Sequence, residues 1–293
     1  MPVLVNVCGE SDSGTTLLVL MLGSGPRAFA CGEVAYRYRP ITRDHLNLVC
    51  GCGAEPCPVW SGLHDLPAHR FHGEVCRRLD VDVVADSSKR LSWVVDTHRW
   101  GPAEGLSVAN VVIWKSPLEH LYSHWKRGRP LETALDRFQR YYGRLLTLGL
   151  PVITVEYDRL VSQPATMLQQ VCARLGIDYF PGKECFANWQ PHLLFGNRGT
   201  WRRMAESGVE PAPTEWPTEF LAAVEPLSDA IDSPALQRLC AQLQNPTVDQ
   251  SCSAGDVPAP RRQLWPWWYY CQRLDDVWRG LCRNYRPANR RAA

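Results

Sequence analysis

VLVNVCGESDSGTTLL, residues 3–18, is the stretch on which the reading of this chain turns. Its opening run, Val3 to Val7, has the length and β-branched content of a buried strand. Gly9 and Gly14 then bracket four polar residues, and Thr15, Thr16, Leu17 and Leu18 begin a helical pattern. A turn of this kind aims backbone N–H groups and a helix N-terminus at one point, where phosphate oxygens can be held. The glycine spacing is that of a P-loop, G-x-x-x-x-G, yet Thr15 stands where a nucleoside-triphosphatase loop carries Lys. Gly-rich strand-to-helix turns also occur as plain structure, so the loop alone leaves both readings open.

Working outward, Thr15 to Leu22 predicts a short helix ended by Gly23, Gly25 and Pro26. Ala28 to Ala30 is a short apolar run followed by Cys31-Gly32-Glu33, and a carboxylate one residue past a strand-end glycine suits a ligand site or a solvated loop. Residues 34–75 read as an irregular insertion, of the kind that covers or shapes a site. Val81 to Ala85 is a second strand closed by Asp86-Ser87-Ser88-Lys89, which sets Lys89 at the C-terminal end where open parallel sheets bind ligands. Asp86 or Ser87 is also an expected N-cap for the next helix. Val108 to Trp114 is a third strand, followed by Lys115, and Pro117 suits the first turn of a helix running to Gly128. Ser123 lies about two helical turns beyond Lys115, so the two can share one phosphate. Lys126, Arg127 and Arg129 read as a solvated, dipole-matched helix end.

A helix over residues 131–149, a strand from Pro151 to Val155 and a helix from Pro164 to Leu175 complete an alternating pattern. The expected fold is α/β: a P-loop-like parallel sheet covered by helices on both faces, with the irregular insertion and a helical C-terminal appendage. The expected division is an α/β core over residues 1–204 and a Pro-rich segment plus Trp/Arg-rich helix over 205–293. In that last helix Trp267, Tyr270, Leu274, Val277, Trp278, Leu281 and Tyr285 recur at helical spacing, amid eight Arg and two Asp between Arg261 and Arg291. Docking of the aromatic stripe on the core and peripheral contact with a membrane surface are both consistent with it.

A net charge of +2 offers no global field for nucleic acid, and no apolar run reaches transmembrane length. Met1 leads directly into the first strand without a basic, then apolar, leader, so the expected location is cytoplasmic. Among twelve cysteines, Cys8, Cys76, Cys172 and Cys240 sit in apolar surroundings and read as core. Cys50, Cys52 and Cys57 cluster in sequence; zinc with Cys31 or His64 as a further ligand is one reading, a Gly-rich structural lid the other.

Taken together, these segments resemble the sulfotransferases that use 3′-phosphoadenosine 5′-phosphosulfate (PAPS). GESDSGTTLL (9–18) is similar to the family's 5′-phosphosulfate loop, and VVIWKSPLEHLYSHWKRG (111–128) to its 3′-phosphate motif. VEYDRLVSQPATML (155–168) resembles its tyrosine-containing strand and helix, while CGE, CGCG, CPVW and DSSK are similar to a bacterial branch. The motif order is also that of tyrosylprotein sulfotransferases, and the likeness spans roughly residues 3–200. The resemblance implies a metal-independent transfer of a sulfuryl group from PAPS to a hydroxyl of a saccharide, glycolipid, phenolic natural product or protein tyrosine. It implies that Ser11, Asp12, Ser13, Gly14, Thr15 and Thr16 form the 5′ loop, and that Lys115 and Ser123 take the 3′-phosphate. Glu33 becomes the base, Lys89 the cation beside the transferring group, and Asn197, Arg198 and Arg202 an element closing over the nucleotide. The spent cofactor is 3′-phosphoadenosine 5′-phosphate.

The chain departs from the family at Asp12, where Lys or Arg is usual, and at Lys115, where Arg is usual. Asp12 can point away while Lys89 or Arg202 supplies charge, serve as an extra base, or mark a chain that binds nucleotide poorly. Two other functions fit parts of the sequence: a P-loop small-molecule kinase with Asp86 as a magnesium ligand, and a non-catalytic adaptor working through the Trp-rich tail.

Overall fold

The computed structural model describes residues 1–40, 50, 52–63, 66–186, 192–195, 215–245 and 266–284, with side chains of the last segment given through residue 275. Five strands form one all-parallel sheet: β1 (Val3–Cys8), β2 (Ala28–Gly32), β3 (Val83–Asp86), β4 (Ser107–Trp114) and β5 (Ile153–Glu156). Their order across the sheet is β2-β3-β1-β4-β5. The chain leaves β1 toward one edge, returns through β3, and crosses to the other side for β4. The loop after β1 therefore opens at the switch point, where doubly wound sheets bind their ligands.

Burial on both faces explains why β1 is apolar without alternation. Val3, Val5 and Val7 pack on α1 (Thr15–Leu22), α7 (Tyr157–Ser162) and α8 (Pro164–Leu175). Leu4 and Cys8 face the other side, where α3 (Phe71–Leu79), α4 (Leu91–Trp100), α5 (Pro117–Trp125) and α6 (Leu131–Leu146) lie. Each predicted strand and the helices after β1, β4 and β5 form, with ends differing by a few residues. The insertion is more regular than its composition suggests. It contains α2 (Ala35–Tyr38) and, at its end, the start of α3, whose buried face of Phe71, His72, Val75 and Cys76 follows helical spacing.

The Pro- and Ser-rich stretch likewise holds α9 (Thr218–Val224), α10 (Ser228–Ile231) and α11 (Pro234–Gln244). Here proline and serine start helices: the Ser233 hydroxyl accepts from the Leu236 N–H, with Pro234 in the first turn. The last helix, α12 (Trp267–Asn284), docks on α4, and over its described side chains the rotation differs from the predicted stripe, whose Val277, Trp278, Leu281 and Tyr285 fall outside the described side chains. Trp268 and Tyr269 are buried, whereas Trp267, Tyr270 and Leu274 are exposed. Tyr269 donates to Asp96 and Arg273 pairs with the same carboxylate at 2.9 Å. The Gln272 side-chain oxygen accepts the Ser92 N–H in the first turn of α4. Among the described residues no helix is long and apolar enough to cross a membrane.

Candidate active site

The loop after β1 is braced from α6. The Gly9 N–H donates to the Tyr141 hydroxyl at 3.0 Å and the Glu10 N–H to that of Tyr142 at 3.3 Å. Those hydroxyls donate in turn to the Lys89 and Ile113 carbonyls, each at 2.9 Å, which joins the loop to the ends of β3 and β4. Ser13 closes the loop on itself by donating to the Glu10 carbonyl at 2.7 Å. Gly14 enters α1 with φ 101°, and a Cβ there would stand 2.5 Å from the Tyr157 ring. Glycine at 14 is thus required by backbone conformation and by contact.

Glu33 and Lys89, which follow the neighbouring strands β2 and β3, meet: Lys89 Nζ lies 2.7 Å from Glu33 Oε1. The Glu33 N–H donates to the Leu194 carbonyl at 2.7 Å, and the close approach requires Gly32, whose Cβ would be 2.4 Å from that oxygen. Lys89 itself adopts φ 62°, an unusual conformation for a long side chain and a common mark of functional sites. Burial raises the Glu33 pKa, an effect that Lys89 only partly offsets. Burial opposes the charge on Lys89, but the Glu33 carboxylate more than compensates, so its pKa is raised.

Lys115 and Ser123 also meet, with Nζ donating to the hydroxyl at 3.0 Å. Lys115 sits 4.0 Å from the centre of the Tyr157 ring, the same ring that covers Gly14. Burial lowers its pKa to about 8, against the weaker pull of Glu119 and Asp12 and with a smaller push from Lys126 and Arg127. Among the described residues no carboxylate forms a salt bridge with Lys115.

Asp12 turns toward the segment after α5. Its carboxylate pairs with Arg129 and lies 3.5 Å from Arg127 and 3.9 Å from His124. The arginines expected to be solvated are therefore held over the loop. Lys126 instead lies over the Tyr122 ring. Asn197, Arg198 and Arg202, and the possible zinc ligand His64, fall outside the described residues.

Asp86 is consumed internally. One carboxylate oxygen accepts from His72 at 2.8 Å and Trp93 at 3.0 Å, the other from the Ser88 N–H at 2.8 Å and its hydroxyl. The expected N-cap role is not realised: α4 starts three residues after Ser88, with Arg90 in the capping position and no side-chain cap. The Ser88 hydroxyl accepts the Ala35 N–H at 2.9 Å and so ties the segment carrying Glu33 to the end of β3.

Sequence reasoning missed several residues here. Glu10, His120 and His124 gather beneath the loop, with His120 and His124 nitrogens 3.6 and 3.8 Å from one Glu10 oxygen. All three are buried, and the i, i+4 histidine spacing on α5 was the visible signal. Tyr141 and Tyr142 carried no local signal beyond their aromatic character. A cavity of about 280 Å³ opens beside Glu10, Ser11, Tyr36 and Lys89. Arg137, Arg140 and Arg144 of α6 line one wall, and Trp268 and Gln272 of α12 another.

No family model and no curated protein sequence matches the chain significantly. Among solved structures it is similar to the sulfotransferase domain from the curacin biosynthetic pathway, with a TM-score of 0.50 and 17% identity over 78% of this chain and 98% of that one. A second match is the sulfotransferase domain from the Synechococcus PCC 7002 olefin synthase, with a TM-score of 0.46 and 14% identity over 98% and 96% of the two chains. The first likeness establishes a sulfotransferase-like fold.

Proposed function

We propose that this chain is a sulfotransferase that moves a sulfuryl group from PAPS to an acceptor hydroxyl, in line and without a metal. The observation that carries the reading is the Lys115–Ser123 pair, a desolvated cation and a hydroxyl 3.0 Å apart beyond β4, across Tyr157 from the Gly14 turn. A cation crowded until its pKa drops, with no salt-bridged carboxylate among the described residues, fits a phosphate. Backbone amides and hydroxyls of Ser11 to Thr16 would hold the 5′ end, at the N-terminus of α1. Arg127 and Arg129, gathered by Asp12, bring to the loop the positive charge that the family draws from a residue at that position.

PAPS, when bound, supplies an activated sulfuryl group on a phosphate leaving group. Glu33 takes the acceptor hydroxyl proton: Oε1 holds Lys89, which leaves Oε2 for the proton, and burial makes this carboxylate a stronger base than an exposed one. Lys89 stays cationic beside it and meets charge developing on the transferred group. The acceptor enters through the cavity beside Lys89, and Arg137, Arg140 and Arg144 on its wall favour an acceptor that also bears an anionic group. Two features count against the other readings. Both oxygens of Asp86 are occupied by internal donors, so a kinase would lack its metal-binding carboxylate. Asp12 is paired with Arg129 and lies near Arg127, which weighs against a loop disabled by its charge.

Calorimetric titration with 3′-phosphoadenosine 5′-phosphate in magnesium-free buffer tests the reading. Wild type is expected to bind at micromolar Kd, Lys115→Ala to bind ~10–100-fold more weakly, and Glu33→Gln to bind as wild type while losing about 10²–10⁴-fold in turnover. A folded wild-type protein that ignores the nucleotide would refute the proposal.

A further inference from the structure

Cys50, Cys52, Cys57 and His192 converge at the β2 edge, away from the loop, with one ligand-type atom from each within 4.8 Å of all the others. His192 Nδ1 lies 3.3 Å from the Cys57 sulfur and 3.8 Å from that of Cys50. A tetrahedral zinc ion with Zn–S of about 2.3 Å and Zn–N of about 2.0 Å separates sulfur from nitrogen by about 3.5 Å, between those two values. The Cys52 N–H points to the Cys50 sulfur at 3.5 Å, which would direct a backbone donor at a thiolate ligand. Cys50 and Cys57 are buried, Cys52 and His192 half-buried. The surroundings are aromatic: Phe29 stacks on His192 at 6.4 Å and meets Trp60 edge-on at 5.5 Å.

We propose that Cys50, Cys52, Cys57 and His192 bind one structural zinc ion, closed to substrate, that fastens the insertion to the sheet edge beside Glu33. Binding displaces three thiol protons and leaves Nδ1 of a neutral His192 as fourth ligand, so Cys₃His–Zn carries a net charge of −1. Among the described residues the fourth ligand is neither Cys31, which lies outside this group of four, nor another residue near the cysteines in sequence. It lies 135 residues after Cys57. Its position gives the ion a task. Leu194, two residues on, donates to the Cys31 carbonyl at 2.9 Å, accepts the Glu33 N–H at 2.7 Å and bridges to Cys50. A metal joining Cys50 and His192 therefore fixes both sides of the backbone that holds Glu33, and zinc acts on the base by position alone.

The test is metal analysis of the full chain purified without chelator from zinc-supplemented cells. Wild type and the exposed-cysteine control Cys185→Ser should contain one zinc per chain, and Cys50→Ser and Cys57→Ser should lose it. Should those variants fail to fold, cobalt exchange into wild type decides, since three thiolates give strong charge-transfer bands and tetrahedral d–d bands. A folded wild-type protein without zinc, or cobalt bound without thiolate bands, would overturn the proposal. So would a zinc content that survives Cys50→Ser and Cys57→Ser but falls in His120→Gln, which would move the metal to the Glu10–His120–His124 cluster. Removal of zinc should lower Tm and speed amide exchange at Glu33 and Leu194, while affinity for 3′-phosphoadenosine 5′-phosphate stays within about twofold, because Lys115 and Ser123 lie beyond β4.

Discussion

Asp12 is held at φ 68°, a conformation that Asp tolerates better than most residues, with its carboxylate against Arg129 and near Arg127. A lysine at this position, though usual in the sulfotransferases the chain resembles, would meet two guanidinium groups and adopt a left-handed backbone at greater cost. Asp12→Lys is therefore expected to lose about 1 kcal/mol or more of stability and to weaken nucleotide binding, as followed by urea unfolding and calorimetry. A gain in affinity would show that Asp12 is a defect rather than an anchor for the arginines. Lys115 makes a pH prediction. Its free pKa is lowered to about 8, and a bound phosphate would raise it, so binding takes up a proton above that pH. Affinity for 3′-phosphoadenosine 5′-phosphate should thus be flat from about pH 7, above the ligand phosphate's own second pKa of ~6, to about pH 8, and fall by up to roughly tenfold per pH unit above that. Lys115→Arg should remove the fall, because guanidinium stays charged. The pairing of Lys115 with Ser123 was legible because both sit on one continuous strand–helix unit. The partners of Asp12 were not, since a charge run at a helix end reads as solvated until the fold brings a carboxylate to it.

At the level of elements, α6 does more than cover the sheet. Consecutive tyrosines, Tyr141 and Tyr142, reach over the C-terminal ends of β3 and β4 and take the first two N–H groups of the loop. Tyr142→Phe keeps the ring among Phe138 and Tyr141 but leaves the Glu10 N–H and Ile113 carbonyl without that hydroxyl. A cost of about 1–3 kcal/mol is expected in denaturant unfolding, with weaker nucleotide binding from a looser loop. Unchanged stability would mean that the hydroxyl braces nothing. The α/β pattern itself was readable, because strands buried on both faces appear as uninterrupted apolar runs whose loops fall at the C-terminal ends. What α6 contributes was not, since the pattern marks a tyrosine as apolar and is silent on where its hydroxyl goes. The same limit hid α9 and α11, whose prolines and serines look like loop residues until they are recognised as helix starts.

Across the whole molecule, the chain closes on itself through Asp96. This buried carboxylate on α4 pairs with Arg39 from the insertion and with Arg273 of α12, and accepts from Tyr269. Three regions distant in sequence thus share one anion, and the α12 side chains beside them, Trp268 and Gln272, wall the cavity proposed for the acceptor. The fit of α12 depends on charge pairing as well as its aromatic face, which is why helical spacing alone selected Trp267 and Tyr270 when Trp268 and Tyr269 face inward. Asp96→Ala would leave Arg39, whose side chain is 9% exposed, without its carboxylate. Breaking a buried pair from one side costs about 3–5 kcal/mol, and the lower end is expected because the Ser92 hydroxyl and the Trp93 ring also hold Arg39. If α12 is seated by this anion, exchange should rise at the Ser92 amide, which Gln272 now covers, as well as along α12. Lys115 and Ser123 do not touch Asp96, so nucleotide affinity should change far less than exchange at α4. Equal loss at both sites would mean that Asp96 supports the entire fold; loss confined to α4 and α12 would identify the acceptor wall as a separately stabilised unit.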